Sequence, residues 1–452
     1  MSISFGWNRE DLQQIAVLEN AEGSGVSPEQ KVVLGAIRRA KEHALSLFRE
    51  GFHRNSSAAP AGSRDIARVR TSAVLVKPVG DLCNLRCTYC YEGSGSERLE
   101  DVRMTGATLT AIIRDVLAQD SRTVQFLWHG GEPLMAGLPF FQQAMELERE
   151  YNVNGCRIVN TVQTNGLLLN DRWMSFFRQH NFSVGISVDG SQDVHDRFRL
   201  GPCGQGTYNG VASAVRRLQE YGFDVGAISV ITPALAKRAG DLFSTFRALG
   251  VNTYDVHPNF SNHSQLAGEP LSPKAFSDFT TELFDLWLGS GDTRIRIGIF
   301  ADLFQGLIGH APSTCYFAGS CTGIVGFEAN GDTVPCTRPF DRGRYTFGNI
   351  ARESLTSIQQ SPAFRLFREE DLAGQANSQQ CRWYKICHNG CPQHRLKDGK
   401  QRVDGANLYC RCQSGIDGGY AAIFDHAVRR SEEVLGLSRC TRAVEGRDGC
   451  GL

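Results

Sequence analysis

The chain carries no excess of charge of either sign: lysine plus arginine and aspartate plus glutamate each number 48 in 452 residues. That balance gives no electrostatic reason to expect a nucleic acid or an anionic membrane as partner. The start, MSISFGWNREDLQQ, has early charges and no apolar core, so it does not read as a secretory signal. No run approaches the roughly 18 apolar residues of a membrane span. There is no low-complexity tract. These absences lead to the expectation of a soluble cytoplasmic protein, long enough for two or three domains.

Cysteine is what the chain has in quantity, fifteen in all. In a small secreted domain that would suggest disulfides; in a large cytoplasmic chain it suggests metal or redox chemistry. Three cysteines sit at 83–90 and eight between 315 and 412. Cys156 and Cys203 stand apart and read as packing residues. Cys440 and Cys450 fall in a glycine-rich tail.

Residues 1–70 read as an attachment. Ser27, Pro28 and Gln30 have the spacing of a helix start with a capping box, and an amphipathic helix to about Arg49 follows. NSSAAPAGSR (55–64) then reads as a linker. From Thr71 the pattern alternates. Strands are expected at SAVLVKPV, VQFLW, RIVNTVQTNG, FSVGISVDG, DVGAISVIT and NTYDVHPNF. Helices are expected near 105–118, 139–151, 170–180, 207–221 and 236–248. Six strand–helix units are the mark of a parallel α/β sheet or barrel, whose active site forms at the carboxyl ends of the strands. After a helix near 273–289, residues 310–412 suggest a fold built around ligands instead of a large core. A last helix is expected near 416–436. The expected domains are 1–70, 71–300 and 301–436, with a tail at 437–452.

Cys83, Cys87 and Cys90 follow C-x3-C-x2-C within DLCNLRCTYCYEG. A structural zinc ion wants four ligands, and this loop is one short. An iron–sulfur cube also needs one ligand per iron, so three cysteines leave one iron open. Zinc or chance remains the alternative. HGGEP (129–133) follows the second strand; its glycines let backbone approach a ligand, or simply make a tight turn. QTNG (163–166) and SVDG (187–190) end the third and fourth strands, where Asn-Gly and Asp-Gly are also ordinary turn formers.

This cysteine spacing, with Tyr89 before the third cysteine and the loop placed after a first strand, resembles the radical S-adenosylmethionine enzymes. The resemblance covers about residues 72–300 and implies a partial, TIM-like (β/α)6 barrel. It implies a [4Fe–4S] cluster whose open iron binds S-adenosylmethionine and yields a 5′-deoxyadenosyl radical. It assigns His129, Gly130, Gly131, Glu132 and Pro133 to the methionine amino group and Arg199 to the carboxylate. Asn165 is counted among the cofactor-binding residues. Ser187 and Asp189 are implied near the ribose or substrate. Tyr89 would cover the cluster or pack near the adenine, and Phe260 would pack on the adenine.

The second cysteine field holds Cys315, Cys321, Cys336, Cys381, Cys387, Cys391, Cys410 and Cys412. Zinc explains any one foursome. The whole is similar to the SPASM extension, which holds two auxiliary [4Fe–4S] clusters. By that resemblance Cys315, Cys321, Cys336 and Cys391 hold the first, and Cys381, Cys387 and Cys410 the second. The remaining ligand of the second is expected three residues before Cys381, where this chain has Ser378; Cys412 is the expected substitute.

The branch resembled is that of anaerobic sulfatase maturases and peptide maturases. In sulfatase maturases an aspartate after the third cysteine of the first auxiliary cluster acts as base. Here that position is Thr337, which cannot do so near neutral pH. The expected function is therefore oxidative crosslinking of a ribosomal precursor peptide through a carbon–carbon bond, a cyclophane. The alternatives are formylglycine formation on a sulfatase, oxidation of a small molecule, and a non-catalytic zinc or iron–sulfur module. Asp255, His257 and Asp341 are candidate proton acceptors, although a buried, hydrogen-bonded role is the plainer one for His257. A peptide substrate, a one-electron donor such as flavodoxin or ferredoxin, and a monomeric state are expected. Residues 1–70 either dock a peptide leader or cover the barrel.

Overall fold

A computed structural model describes residues 7, 9–20, 25–49, 71–92, 102–259, 270–319, 321–338, 340–376, 378–397, 400–401 and 419–437. Six strands follow from alternating apolar patterns: β1 (Ala73–Val76), β2 (Thr123–Trp128), β3 (Arg157–Thr164), β4 (Ser183–Ser187), β5 (Gly226–Ile231) and β6 (Thr253–Pro258). They pair in parallel and in chain order, and a two-residue β7 (Arg296–Ile297) extends the row beyond β6. The order does not close on itself, so the barrel is partial.

One side-chain row is shut off from solvent, including Val76, Phe126, Trp128, Val162 and Ile186. It packs on the surrounding helices, with Phe141 edge-on to both Trp128 and Trp173 at 5.3 Å. The alternate row is more open, as the pleat requires. It carries Gln125, Gln163, Ser187, Asp255 and His257 on the lumen face. Caps fix where the helices start. Thr105 Oγ1 accepts from Thr108 N, Asn170 from Arg172 N and Trp173 N, and Ser272 from Ala275 N.

The described part of the amino-terminal extension is helical and packs on neighbouring helices. Ser27 N donates to Gln30 Oε1 at 2.8 Å and Gln30 N to Ser27 Oγ at 3.1 Å, a reciprocal capping box. Helix Pro28–Arg49 buries Val32, Val33 and Ile37. It packs against helices Pro273–Gly289, Gly298–Leu307 and Gly419–Leu435. A helix at Arg9–Asn20, with little apolar periodicity, escaped the sequence pattern.

The cysteine-rich segment has more regular structure than expected. β8 (Ile324–Phe327) pairs in parallel with β1, from Ala73 opposite Ile324 to Val76 opposite Phe327. β9 (Asp332–Val334) and β10 (Gly348–Asn349) continue antiparallel, so one ten-stranded sheet spans both halves. The segment also has an aromatic core, Phe340, Tyr345, Phe347, Phe364 and Phe367, built on helix Pro362–Ala376. Helix Gly298–Leu307 runs through the boundary expected at residue 300. Among the described residues no helix is long and apolar enough to cross a membrane.

Candidate active site

The loop bearing Cys83, Cys87 and Cys90 leaves the carboxyl end of β1 and is held from two sides. Gly131 N donates to Gly80 O at 2.9 Å and Glu132 N to Leu82 O at 2.8 Å. Arg86 N donates to Leu200 O at 2.7 Å and Thr88 N to Phe198 O at 2.9 Å. Glycine is required in this lattice. A Cβ at Gly131 would lie 2.1 Å from Leu82 O, and Gly130 has φ +116°. HGGEP therefore braces the cysteine loop directly.

Burial pushes the Cys83 thiol up to about 11 and the Cys87 thiol up to about 12, and Cys90 adds to both. Three crowded thiols that resist ionisation together suit a bound cation, which reverses that balance. Among the described residues no group of three or more His, Cys, Asp or Glu converges closely enough for a single metal ion. A cubane spreads its thiolates over separate corners and makes a wider demand.

Two acids expected at the cofactor are taken up by the scaffold. The Glu132 carboxylate accepts from Leu134 N at 3.1 Å, Thr164 Oγ1 at 2.7 Å and Asn165 N at 2.8 Å. Burial raises it to about 7 against those bonds. Asp189, fully buried, accepts from Tyr89 Oη, from Arg199 Nε at 2.8 Å and from Val230 N at 2.9 Å. The Arg199 guanidinium also lies 5.4 Å over the Tyr89 ring. This network clamps the cysteine loop to the end of β4. Asn165 Nδ2 donates to Asn84 Oδ1 at 2.8 Å, and Gln163 Nε2 to Ser187 Oγ at 3.0 Å. Pro133 opens a buried turn of 3-10 helix. Phe260 lies outside the described residues.

Across the lumen stands the second cysteine group. The Cys321 thiol is raised by burial first, then by Asp371, Cys391, Cys336 and Cys315. The foursome expected for the first auxiliary cluster thus lies within mutual electrostatic reach. Arg338 stands beside three of these thiols and beside Tyr91, the residue after Cys90. Its guanidinium lies 5.1 Å from the Tyr316 ring centre. Of the second set, Cys381 and Cys387 are described, while Cys410 and Cys412 lie outside the described residues. The Ser378 hydroxyl donates to Gln375 O at 3.0 Å.

The three candidate bases separate clearly. Asp341 caps helix Arg342–Tyr345, accepting from Arg344 N, so its carboxylate has a local structural task. Asp255 accepts from the Gly298 amide, and burial and Asp302 raise it to about 6. His257, two residues further up β6, packs its ring 5.0 Å from Tyr316. Burial lowers His257 to about 3, aided by Arg338 and His129. Burial likewise lowers His129 to about 4, aided by Lys77 and Arg338. Both rings are therefore neutral near pH 7.

Sequence reading missed Arg338, Tyr316 and the Lys77 cluster. Buried Lys77 Nζ meets Asp81 at 2.9 Å, Glu92 at 2.5 Å and Glu328 at 3.0 Å, tying the cysteine loop to the end of β8. No local signal marks these residues, because their partners come from distant segments. The Asn330-Gly331 pair, with φ +91° at Gly331, is a local signal that could have found the β8–β9 hairpin.

A partial parallel barrel with three loop cysteines, facing a cysteine-rich half, defines the class. Residues 78–236 match the Radical SAM superfamily model, and residues 315–392 match SPASM, an iron-sulfur cluster-binding domain. The chain thus carries radical SAM and SPASM domains together, matching the radical SAM/SPASM maturase branch. The two domains imply a SAM-binding [4Fe–4S] cluster and auxiliary clusters. The chain is similar to a cysteine-type anaerobic sulfatase-maturating enzyme of Clostridium perfringens, 28% identical over 79% of this chain and 96% of that one. It is also similar to a serine-type enzyme of Bacteroides thetaiotaomicron, 29% identical over 78% and 88%. The solved structure of native anSMEcpe with bound AdoMet and Cp18Cys peptide superimposes with TM-score 0.68, at 26% identity, covering 81% of this chain and 99% of that one.

These relatives overturn the expectation of a peptide crosslink. That expectation hung on one position, Thr337. The loss of one base does not define a reaction when other proton acceptors face the same lumen.

Proposed function

We propose that this chain oxidises a cysteine or serine side chain of a sulfatase protein to formylglycine. The observation that carries this reading is the near full-length similarity to both the cysteine-type and the serine-type sulfatase-maturating enzymes. The site supports it: the lumen lies between the Cys83 loop and the Cys315–Cys336 group. Bound there, the cluster and S-adenosylmethionine supply a 5′-deoxyadenosyl radical.

The chain's own residues then bind and orient. Cys83, Cys87 and Cys90 hold the first cluster. The 130–131 backbone and the Arg199 Nη atoms hold the methionine amino and carboxylate groups. Asp189 keeps Arg199 charged and fixed. Cys315, Cys321, Cys336 and Cys391 would hold the first auxiliary cluster, which would supply an electron acceptor, and an external one-electron donor such as flavodoxin or ferredoxin would be needed. The test uses the anaerobically reconstituted protein, S-adenosylmethionine, a strong reductant and a sulfatase peptide containing the target cysteine or serine. An aldehyde-reactive product together with 5′-deoxyadenosine is expected. S-Adenosylmethionine cleavage with neither peptide oxidised would overturn the reading.

A further inference from the structure

The reaction just proposed removes a proton from the substrate thiol or hydroxyl, and Thr337 cannot take it. We propose that His257 is the catalytic residue that accepts this proton, with Tyr316 and Arg338 forming the wall against which its ring is set. The inference rests on the proposed sulfatase-maturase reading.

Geometry selects His257 from the acids and bases of the site. It stands one residue before the end of β6 on the lumen face, near the carboxyl rim, with its ring against Tyr316 beside Cys315. Its Nδ1 is buried and has no hydrogen-bond partner among the described residues. The same holds for His129 Nδ1 and for Tyr316 Oη; the Tyr316 ring packs 5.0 Å from that of His257, and His129 lies within electrostatic reach of it. Buried polar atoms are almost always satisfied, and a cluster of exceptions marks a place where a bound molecule completes the set. Asp255, by contrast, is engaged by the Gly298 amide and lies deeper along the strand. Asp341 is used as a helix cap. Glu132 and Asp189 are saturated by their own hydrogen bonds.

The step balances as follows. The substrate Cβ loses one hydrogen atom to the 5′-deoxyadenosyl radical, giving 5′-deoxyadenosine. The carbon radical then loses one electron to the first auxiliary iron–sulfur cluster and one proton from its S–H or O–H to His257. Serine yields the aldehyde at once. Cysteine yields the thioaldehyde, which water converts to the aldehyde with release of hydrogen sulfide. A neutral imidazole suits this step, because the radical centre acidifies the neighbouring S–H or O–H.

The experiment compares wild type, His257→Ala and His257→Gln, each reconstituted and checked for iron per chain. The substrate is a sulfatase peptide deuterated at Cβ. Two quantities are read: deuterium delivered to 5′-deoxyadenosine, and aldehyde formed per deuterium delivered. Both variants are expected to keep deuterium delivery within about twofold and to lose aldehyde per deuterium by about a hundredfold or more, the scale of a general base. Added imidazole should recover part of the loss in His257→Ala. An unchanged ratio in the variants overturns the assignment. So does a parallel fall in deuterium delivered and in total aldehyde at full iron content, which leaves their ratio unchanged and is the mark of a structural role. If wild type delivers deuterium but makes no aldehyde, the sulfatase reading fails and this inference falls with it, before any variant is made.

Discussion

At the scale of single residues, the buried charges around the cysteine loop are fixed by pairing. Arg199 is tolerated inside because Asp189 neutralises it, and Asp189 is tolerated because Tyr89 Oη and Val230 N complete its shell. Removing one partner of such a pair costs about 3–5 kcal/mol. Asp189→Asn should therefore lower unfolding stability by that order and strip iron from the first site. Tyr89→Phe keeps the ring over Arg199 and loses one hydrogen bond, so about 1–3 kcal/mol is expected. Denaturant melts of the two variants should preserve that ranking; equal losses would mean that the ion pair is not the fastener. Glycine gives a second test. Gly131→Ala drives a methyl into Leu82 O, whereas Gly240 has nothing within 4 Å of the added carbon and sits early in a helix. Gly131→Ala should lose iron binding at the Cys83 site, and Gly240→Ala should keep it.

At the scale of elements, helix Leu138–Tyr151 is joined to the sheet by a buried polar contact among aromatics. Asn160 Nδ2 donates to Glu148 Oε2 at 2.9 Å, and Trp128 Nε1 donates to Asn160 Oδ1 at 2.8 Å. Burial raises the Glu148 carboxyl from 4.5 to about 7, against the lowering by Asn160. Between those two values the folded chain holds a proton that the unfolded chain has released. Stability from this group is thus full below about 4.5, falls as pH rises to about 7, and is level beyond. Glu148→Gln carries no such proton. Its stability relative to wild type should rise across that window by on the order of 1–3 kcal/mol and then stay constant. Urea melts at pH 4.5, 6 and 8 check this. A difference independent of pH would place the titration elsewhere.

At the scale of the whole molecule, what was legible in the sequence was whatever short-range pattern determines. Val74 and Val76, or Val124, Phe126 and Trp128, announce strands by alternation. Ser27 with Gln30 announces a helix start. The spacing of the three loop cysteines leaves zinc or chance open, and their place after a first strand, with the family resemblance, points to an iron–sulfur site. Long-range placement was not legible. Lys77 looks like any strand-end lysine until Glu92 and Glu328 arrive from 15 and 251 residues away. Arg338 gains its place only when the Cys336 loop meets the lumen. Glu132 and Asp189 were placed near the cofactor or substrate by family resemblance; their bonds to neighbouring strands and loops could be seen only in the fold.

The same long-range pairing fixes how the molecule must behave as one body. β1 is the central hinge of the sheet, with β2 on one side and β8 on the other. Ser72 N donates to Gly323 O at 2.9 Å and Lys77 N to Phe327 O at 3.0 Å. A chain ending at residue 309 would turn β1 into an open edge that carries unpaired backbone groups, an invitation to aggregation. It would also leave Lys77 without Glu328 and uncover helix Pro28–Arg49 where helix Gly419–Leu435 packs. Such a chain still contains Cys83, Cys87 and Cys90. If the cysteine loop were self-sufficient, it would stay monodisperse and bind a full complement of iron at the first site. Because the loop is stitched to β8 through Lys77 and β1, we expect aggregation on gel filtration and little bound iron. Full-length Glu328→Gln, which keeps β8 in place, should remain monodisperse and lose only part of the iron affinity.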